Sequence, residues 1–285
     1  MNTDTMRRRA QALLELHHGE ETLLLPNAWD VVSARLFQDA GFSAVATTSA
    51  GVAWSLGYPD GERIPREEML AAVARIAHAL DLPVTADLEA GYGPAPEDVA
   101  ETARGAIAAG AVGMNLEDGR SGDEPTASPL FDTAAQVERV AAARATADAA
   151  GIPFVLNART DVFLRHVGAP EERLRLAVDR ANAYRAAGAD VLFVPGVVDA
   201  PTISQLVREI DGPLNILATA AVPDVAELTR LGVARVSVGG GPYRTALAAV
   251  ARGAAELRRT GRYAPLLADG LTHAEVNALV EGARG

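Results

Sequence analysis

The 285-residue sequence predicts an α/β protein built as a (β/α)8 barrel, with one helix before the barrel and another after it. Three observations carry that expectation. Apolar, β-rich runs recur eight times with helix-periodic segments between them. The runs are almost continuously apolar, as strands covered on both faces are. Eight such units fill roughly 230 residues, the size of one barrel. An open, doubly wound sheet is the competing architecture. No G-x-G-x-x-G follows the first run, so nothing supports its dinucleotide-binding version. No linker divides the chain, and residues 1–285 are expected to form one domain with a helical extension over 271–283.

Residues 3–19 read as a helix with Leu13, Leu14 and Leu16 on its apolar side and Gly19 at its end. The strand-like runs follow at 22–25, 44–47, 84–88, 112–116, 154–157, 191–194, 214–217 and 233–238. Helical periodicity fills the intervals at 31–40, 67–80, 96–109, 133–150, 171–187, 201–210, 222–231 and 243–259. In the fifth of these, Leu174, Val178, Ala181 and Tyr184 form one stripe. Gly41, Gly110, Gly151, Gly188 and Gly232 fall just past helix ends, where a left-handed residue satisfies the last carbonyls. Pro96 and Pro170 suit first helical turns, where a missing N–H costs nothing.

Composition excludes several partners. A formal charge of −11 argues against nucleic acid and anionic membrane surfaces, and Arg7-Arg8-Arg9 is too short a basic run to reverse that. No stretch of about 18 apolar residues is present to span a membrane. The polar first ten residues lack the apolar core of a secretory signal, so a cytoplasmic protein is expected. Cysteine is absent, which removes disulfides, thiolate metal sites and thiol acids or nucleophiles.

The chemistry concentrates first in Pro83-Val84-Thr85-Ala86-Asp87-Leu88-Glu89-Ala90-Gly91-Tyr92-Gly93. Alternate residues of a strand share a face, which groups Thr85, Asp87 and Glu89. Two carboxylates on a covered strand need a shared proton or a cation, and Mg2+, an oxygen-seeking ion that keeps several waters, meets that need. The plainer alternative is that the pair flanks the helix beginning at Pro96. The other run ends weigh against it, because in a barrel the C-terminal ends of the strands carry the active site. The first run ends in Asn27-Ala28-Trp29-Asp30, and the second in Thr47-Thr48-Ser49-Ala50-Gly51, whose backbone N–H groups suit a carboxylate or phosphate. Asp60 follows in a loop; the fourth run delivers Asn115 and Glu117, and the fifth Asn157, Arg159 and then Asp161. Asp87, Glu89, Glu117 and Asp60 would hold Mg2+, or Mn2+ in its place, directly or through water. Arg159 would offer a bidentate fork to a substrate carboxylate. The cation would polarise a keto-acid oxygen and stabilise a developing enolate. Tyr92, between two glycines beside the acid pair, is a proton-donor candidate.

The ordered set Leu25-Pro26-Asn27-Ala28-Trp29-Asp30, Thr47-Thr48-Ser49-Ala50-Gly51, Gly57-Tyr58-Pro59-Asp60, the stretch 86–93, Asn115-Leu116-Glu117-Asp118 and Asn157-Ala158-Arg159-Thr160-Asp161 resembles the isocitrate lyase/phosphoenolpyruvate mutase superfamily over about 20–260. The resemblance implies a barrel whose last helix is exchanged between subunits of a homo-oligomer, a dimer of dimers. It also implies Mg2+-dependent chemistry on a small carboxylate substrate through an enolate. Asp87 would be the direct metal ligand, with Asp60, Glu89 and Glu117 on metal-bound waters. Thr48, Ser49, Ala50, Gly51, Asp60, Asn157 and Arg159 would bind substrate, and Arg159, Tyr92 and Glu117 would be catalytic.

The departures narrow this. Isocitrate and methylisocitrate lyases carry a cysteine-bearing gate after the fourth strand, where this chain has Asp118-Gly119-Arg120-Ser121-Gly122-Asp123-Glu124. Mutases of this superfamily and phosphonopyruvate hydrolase have Asp-Lys there, and here Gly119 follows Asp118. The histidine associated with the mutases after the sixth strand is replaced by Val194-Pro195-Gly196, and the acid pair is Asp-Glu where the best-known branches have Asp-Asp. The expected activity is therefore carbon–carbon cleavage of a small keto or hydroxy di- or tricarboxylate, by decarboxylation or retro-aldol reaction. P–C chemistry on phosphonopyruvate and binding without turnover are the alternatives. Residues 120–129 would form a lid or a plain connection. Gly239-Gly240-Gly241-Pro242 would hold phosphate or form a tight turn. His17, His18, His78 and His273 are expected on helices, at the surface or partly buried, while His166 could reach the mouth from its loop.

Overall fold

A computed structural model describes residues 1–120, 128–268 and 270–281. Helix α1 (Thr3–Leu16) precedes strands β1 (Leu23–Leu25) and β2 (Asn27–Ala28). There follow α2 (Val31–Asp39), β3 (Val45–Thr47), α3 (Ser49–Ser55), α4 (Arg66–Ala79), β4 (Val84–Asp87), α5 (Pro96–Ala108) and β5 (Gly113–Glu117). Next are α6 (Thr133–Ala150), β6 (Val155–Arg159), a 3-10 turn at Pro170–Glu172, α7 (Arg173–Ala186), β7 (Val191–Phe193), α8 (Ala200–Glu209) and β8 (Leu214–Leu217). The chain closes with α9 (Val225–Leu231), β9 (Arg235–Ser237), α10 (Gly241–Thr260), α11 (Ala264–Leu267) and α12 (His273–Glu281).

All pairings between these strands are parallel, in the order β1-β9-β8-β7-β6-β5-β4-β3-β2. The first expected strand is split at Pro26, which has no N–H to donate. Its first half pairs with β9 and its second with β3, so the two pieces together close the barrel. The sheet is a TIM-barrel-like fold, as the alternation of apolar runs and helices predicted.

Helix α1 covers the N-terminal end. Leu13 is fully buried, and a side chain at Gly113 would meet Leu13 Cδ2 at 3.2 Å and Val155 O at 2.8 Å. His17 departs from expectation: it is 3% exposed, its Nδ1 lies 2.7 Å from Leu13 O, and burial, then Arg235, pushes its pKa down to about 3. The helical stripe that buries Leu13 carries His17 one turn further along the same face.

The second run does not end in an open cradle. Thr48 accepts from Gly51 N–H at 3.3 Å and caps α3, so the small residues after β3 become a helix. The proposed lid at 120–129 falls largely outside the described residues, since 121–127 are not described; so do 282 and 283 of the expected last helix. Among the described residues no helix is long and apolar enough to cross a membrane.

Candidate active site

Loops and strand ends at the C-terminal side of β3 to β6 enclose a cavity of about 340 Å³, whose walls include Ser49, Asp60, Glu89, Glu117 and Arg159. Beneath its lining the parallel register sets the strand residues in rows. Asp87 stands beside Asn115, and Asn115 beside Asn157. Asn157 Nδ2 donates to Asn115 Oδ1 at 2.7 Å, and Asn115 Nδ2 donates to Asp87 Oδ1 at 3.3 Å. From the other side, the N–H and Oγ of Ser49 donate to Asp87 Oδ2 at 3.1 and 2.8 Å. Asp87 is thus aimed by neighbours on both flanks.

The next row up pairs Glu117 with Arg159. Arg159 Nη1 lies 2.7 Å from Glu117 Oε2, while its Nε and Nη2 donate to the two oxygens of Asp161 at 2.6 and 3.0 Å. The fork expected for a substrate is therefore closed on Asp161, leaving one hydrogen on each terminal nitrogen for a ligand. Asp161 is fully buried, and its N–H donates to Asp118 Oδ1 at 2.8 Å. Asp118 Oδ2 in turn accepts from the Tyr184 hydroxyl at 2.7 Å and Arg180 at 3.0 Å. Burial works against the Arg159 charge, but Glu117 and Asp161 hold it firmly protonated. Burial raises Glu117, and Arg159, 2.7 Å away, pulls it back toward the carboxylate form.

Glu89 reaches the cavity by a route that strand periodicity did not foresee. Strand β4 ends at Asp87, and Glu89 turns into the left-handed region at φ +53°. Glu62 and Tyr92 are left-handed too, at +57° and +61°. Each such residue costs about 1–3 kcal/mol unless its surroundings hold it. Here Glu62 N–H donates to Glu89 Oε2 at 2.6 Å, and Glu62 Oε1 accepts from Tyr92 N–H at 2.7 Å. Buried Arg139 adds a brace by donating to the carbonyls of Ala90 and Gly93, with its guanidinium 3.8 Å from the Phe131 ring centroid. Glu62 was not anticipated. Its partners are 27 and 30 residues away, and no local pattern connects them.

The acids crowd one another. Burial first, then Asp87 and Asp60, push Glu89 up to about 8. Burial and Asp87 also raise Asp60, which sits on the rim. Burial lifts the Tyr92 phenol above its ordinary range, and its buried hydroxyl has no hydrogen-bond partner among the described residues.

Other expected residues fall elsewhere. Thr48, Ala50 and Gly51 belong to the start of α3 behind the cavity wall, with the Gly51 amide spent on Thr48; Ser49 alone of that set faces the cavity. Asn157 is fully buried beneath the floor, bonded to Asn115, and is not part of the lining. His166 is exposed, 3.4 Å from Arg173 Nη1, and does not line the cavity. The amides of Val238 and Gly239 both donate to Asn27 Oδ1 at 2.9 Å, which ties the glycine stretch back to β2 as a turn.

The carboxylate set fits Mg2+ of the water-retaining kind. Glu89 Oε1 is buried without a partner among the described residues, and Asp87, Asp60 and Glu89 repel one another where a cation would relieve them. Among the described residues no three acidic or histidine side chains stand close enough to form an all-protein cage, and Mg2+ needs only one or two carboxylates plus waters.

A family profile for phosphoenolpyruvate phosphomutase matches residues 13–258. An uncharacterized protein of Mycobacterium tuberculosis is 38% identical over 241 residues, covering 84% of this chain and 86% of the relative. The oxaloacetate decarboxylase of Bradyrhizobium sp. is 31% identical over 284 residues, covering 97% and 93%. Among solved structures, phosphonopyruvate hydrolase in complex with oxalate and Mg2+ superposes with a TM-score of 0.84 at 26% identity, covering 97% of this chain and 96% of that one. With its barrel, its acid-lined mouth and a profile match over most of its length, the chain belongs to the isocitrate lyase/phosphoenolpyruvate mutase superfamily of carbon–carbon lyases and mutases.

Proposed function

We propose that the chain is a Mg2+-dependent lyase that cleaves a C–C bond in a small α-keto or hydroxy di- or tricarboxylate, with decarboxylation of an oxaloacetate-like acid as the leading reaction and retro-aldol cleavage next. The observation that carries this reading is the pairing of two opposite features at one cavity: Asp60 and Glu89 on its wall, crowded by Asp87 beside them, and Arg159 locked between Glu117 and Asp161. The first suits a cation and the second suits an acid group, and a keto acid bridges both. The similarity to an oxaloacetate decarboxylase along almost the whole chain supports the same choice.

Asp87, held by Ser49 and Asn115, would bind the cation directly; Asp60, Glu89 and Glu117 would hold its waters. When bound, the cation would supply Lewis-acid charge to a keto oxygen. The chain's own groups do the rest. Arg159 stays charged because two carboxylates flank it, so its remaining N–H groups can orient a substrate oxygen. Tyr92 keeps its proton at neutral pH, the state a donor to the nascent carbanion requires. Glu117 fixes the Arg159 head from the cavity side. For a homo-oligomer, support comes from α10 to α12, where Leu247, Val250, Tyr263, Leu267 and Leu271 are exposed; light scattering gives the assembly size.

NMR detection of turnover with Mg2+ and with EDTA tests the function. The panel is oxaloacetate, alkyl-substituted malates, methylisocitrate and phosphonopyruvate. Metal-dependent release of a keto acid from a carboxylate substrate, abolished in a folded Asp87→Ala variant, is the expected result. Pyruvate formed only from phosphonopyruvate would assign P–C chemistry. Activity that survives both EDTA and Asp87→Ala would remove the metal reading.

A further inference from the structure

Arg165, absent from the sequence-based site, lies on the cavity wall with its side chain 32% exposed. It is a second guanidinium beside Arg159, and its hydrogen bonds are distributed differently. Nε donates to Asp161 Oδ2 at 3.2 Å, and Nη1 donates to the carbonyls of Arg120 at 2.9 Å and Pro129 at 3.3 Å. Among the described residues Nη2 has no hydrogen bond, and it lies 4.0 Å from Glu117 Oε1. The head is therefore anchored along one edge while the other edge is left to the cavity. The chain also makes room for it. A side chain at Gly119 would strike Arg165 Nη2 at 2.6 Å and Asp161 Oδ2 at 2.7 Å, so the guanidinium sits where any larger residue at 119 would stand. Arg120, its guanidinium 4.5 Å from the Phe131 centroid, adds a further positive charge to the same wall.

The way these groups are paired says what this wall is for. Asp161 serves both Arg159 and Arg165, and Glu117 pairs closely with Arg159 alone. Asp161 is thus divided between two guanidinia, in a cavity of about 340 Å³ that suits a ligand of a few carbons. A ligand with a single acid group, engaged at the Asp87–Arg159 side, would leave Nη2 of Arg165 with no hydrogen-bonded anion among the described residues.

We propose that Arg165 is a specificity-determining residue that binds a second carboxylate of the substrate, with Gly119 providing its space. This rests on the reading above that the first acid group is taken at Asp87 and Arg159. It restricts the substrate to diacids whose second carboxylate lies one or two carbons beyond the reacting centre.

Calorimetric titration in the presence of Mg2+ with racemic malate and racemic lactate tests this, because the two differ only by that second carboxylate. Wild type is expected to bind malate about tenfold to a hundredfold more tightly than lactate, the range of one charge-assisted contact. Arg165→Met should bring that ratio to near one while leaving lactate affinity within about twofold, and Arg165→Lys should restore part of it. Gly119→Ala keeps the charge but displaces the head, and should cut the ratio in a folded protein even if Arg165→Met folds poorly. Equal binding of both probes by wild type, or equal weakening of both in the variants, would overturn the subsite alone. Failure of wild type to bind either probe would overturn the keto- and hydroxy-acid reading, and the subsite with it.

Discussion

Glu89→Gln offers the most quantitative test of the acid cluster. In the folded chain, burial and the neighbouring Asp87 and Asp60 move the Glu89 carboxyl from an ordinary 4.5 up to about 8. Between those values the folded protein binds a proton that the unfolded chain has lost, so stability falls as pH rises through this window. The full span sets an upper bound of about 5 kcal/mol, at about 1.4 kcal/mol per pH unit. Shared repulsion with Asp60 and Asp87 brings the expected share of Glu89 to about 2 kcal/mol. Metal-free wild type should therefore lose stability from pH 5 to pH 8, and Glu89→Gln, neutral throughout, should lose about 2 kcal/mol less, or roughly 5 °C in melting midpoint. Mg2+ should rescue wild type more at pH 8 than at pH 5, because the ionised carboxylate is the form a cation stabilises. The assay is thermal and urea unfolding at half-unit pH steps, with EDTA and with Mg2+. Parallel pH profiles for wild type and Glu89→Gln would refute the crowding argument.

Asp161→Asn should destabilise the protein by about 3 kcal/mol, because it leaves Arg159 buried with half its partners gone; an unchanged urea midpoint would contradict the pairing. Glu62→Ala should weaken Mg2+ binding, followed by tryptophan fluorescence, by about 1 kcal/mol of lost hydrogen bonding. Glu62→Gln, which keeps an acceptor for Tyr92 N–H, should restore most of it, and equal effects of the two variants would show that the clasp is not what matters. Leu13→Ala beneath the barrel should cost about 2–5 kcal/mol without altering substrate specificity, as cavity formation in a core does; a specificity change would mean that α1 communicates with the mouth.

The alternation of apolar runs with helical stripes, and the glycines that end the helices, made the barrel legible without coordinates. These are local properties, set by backbone periodicity and by caps within a few residues. Period two likewise placed Asn115 with Glu117 and Asn157 with Arg159, because those residues lie inside regular strands. It failed two residues past a strand end, where Glu89 leaves the β region and reaches the cavity through a left-handed turn. Helix α3 was missed because a threonine cap converts a row of small residues from open backbone into a helical turn. His17 was placed near the surface because its own helix does not say what covers it. The partner choices were out of reach for the same reason. That Asp161 closes the Arg159 fork, that Glu62 ties Glu89 to Tyr92, and that Gly119 yields its space to Arg165 depend on contacts between distant segments, which packing alone decides. The residue types at the strand ends thus determined what chemistry is available, whereas tertiary structure decided which groups remain free to perform it.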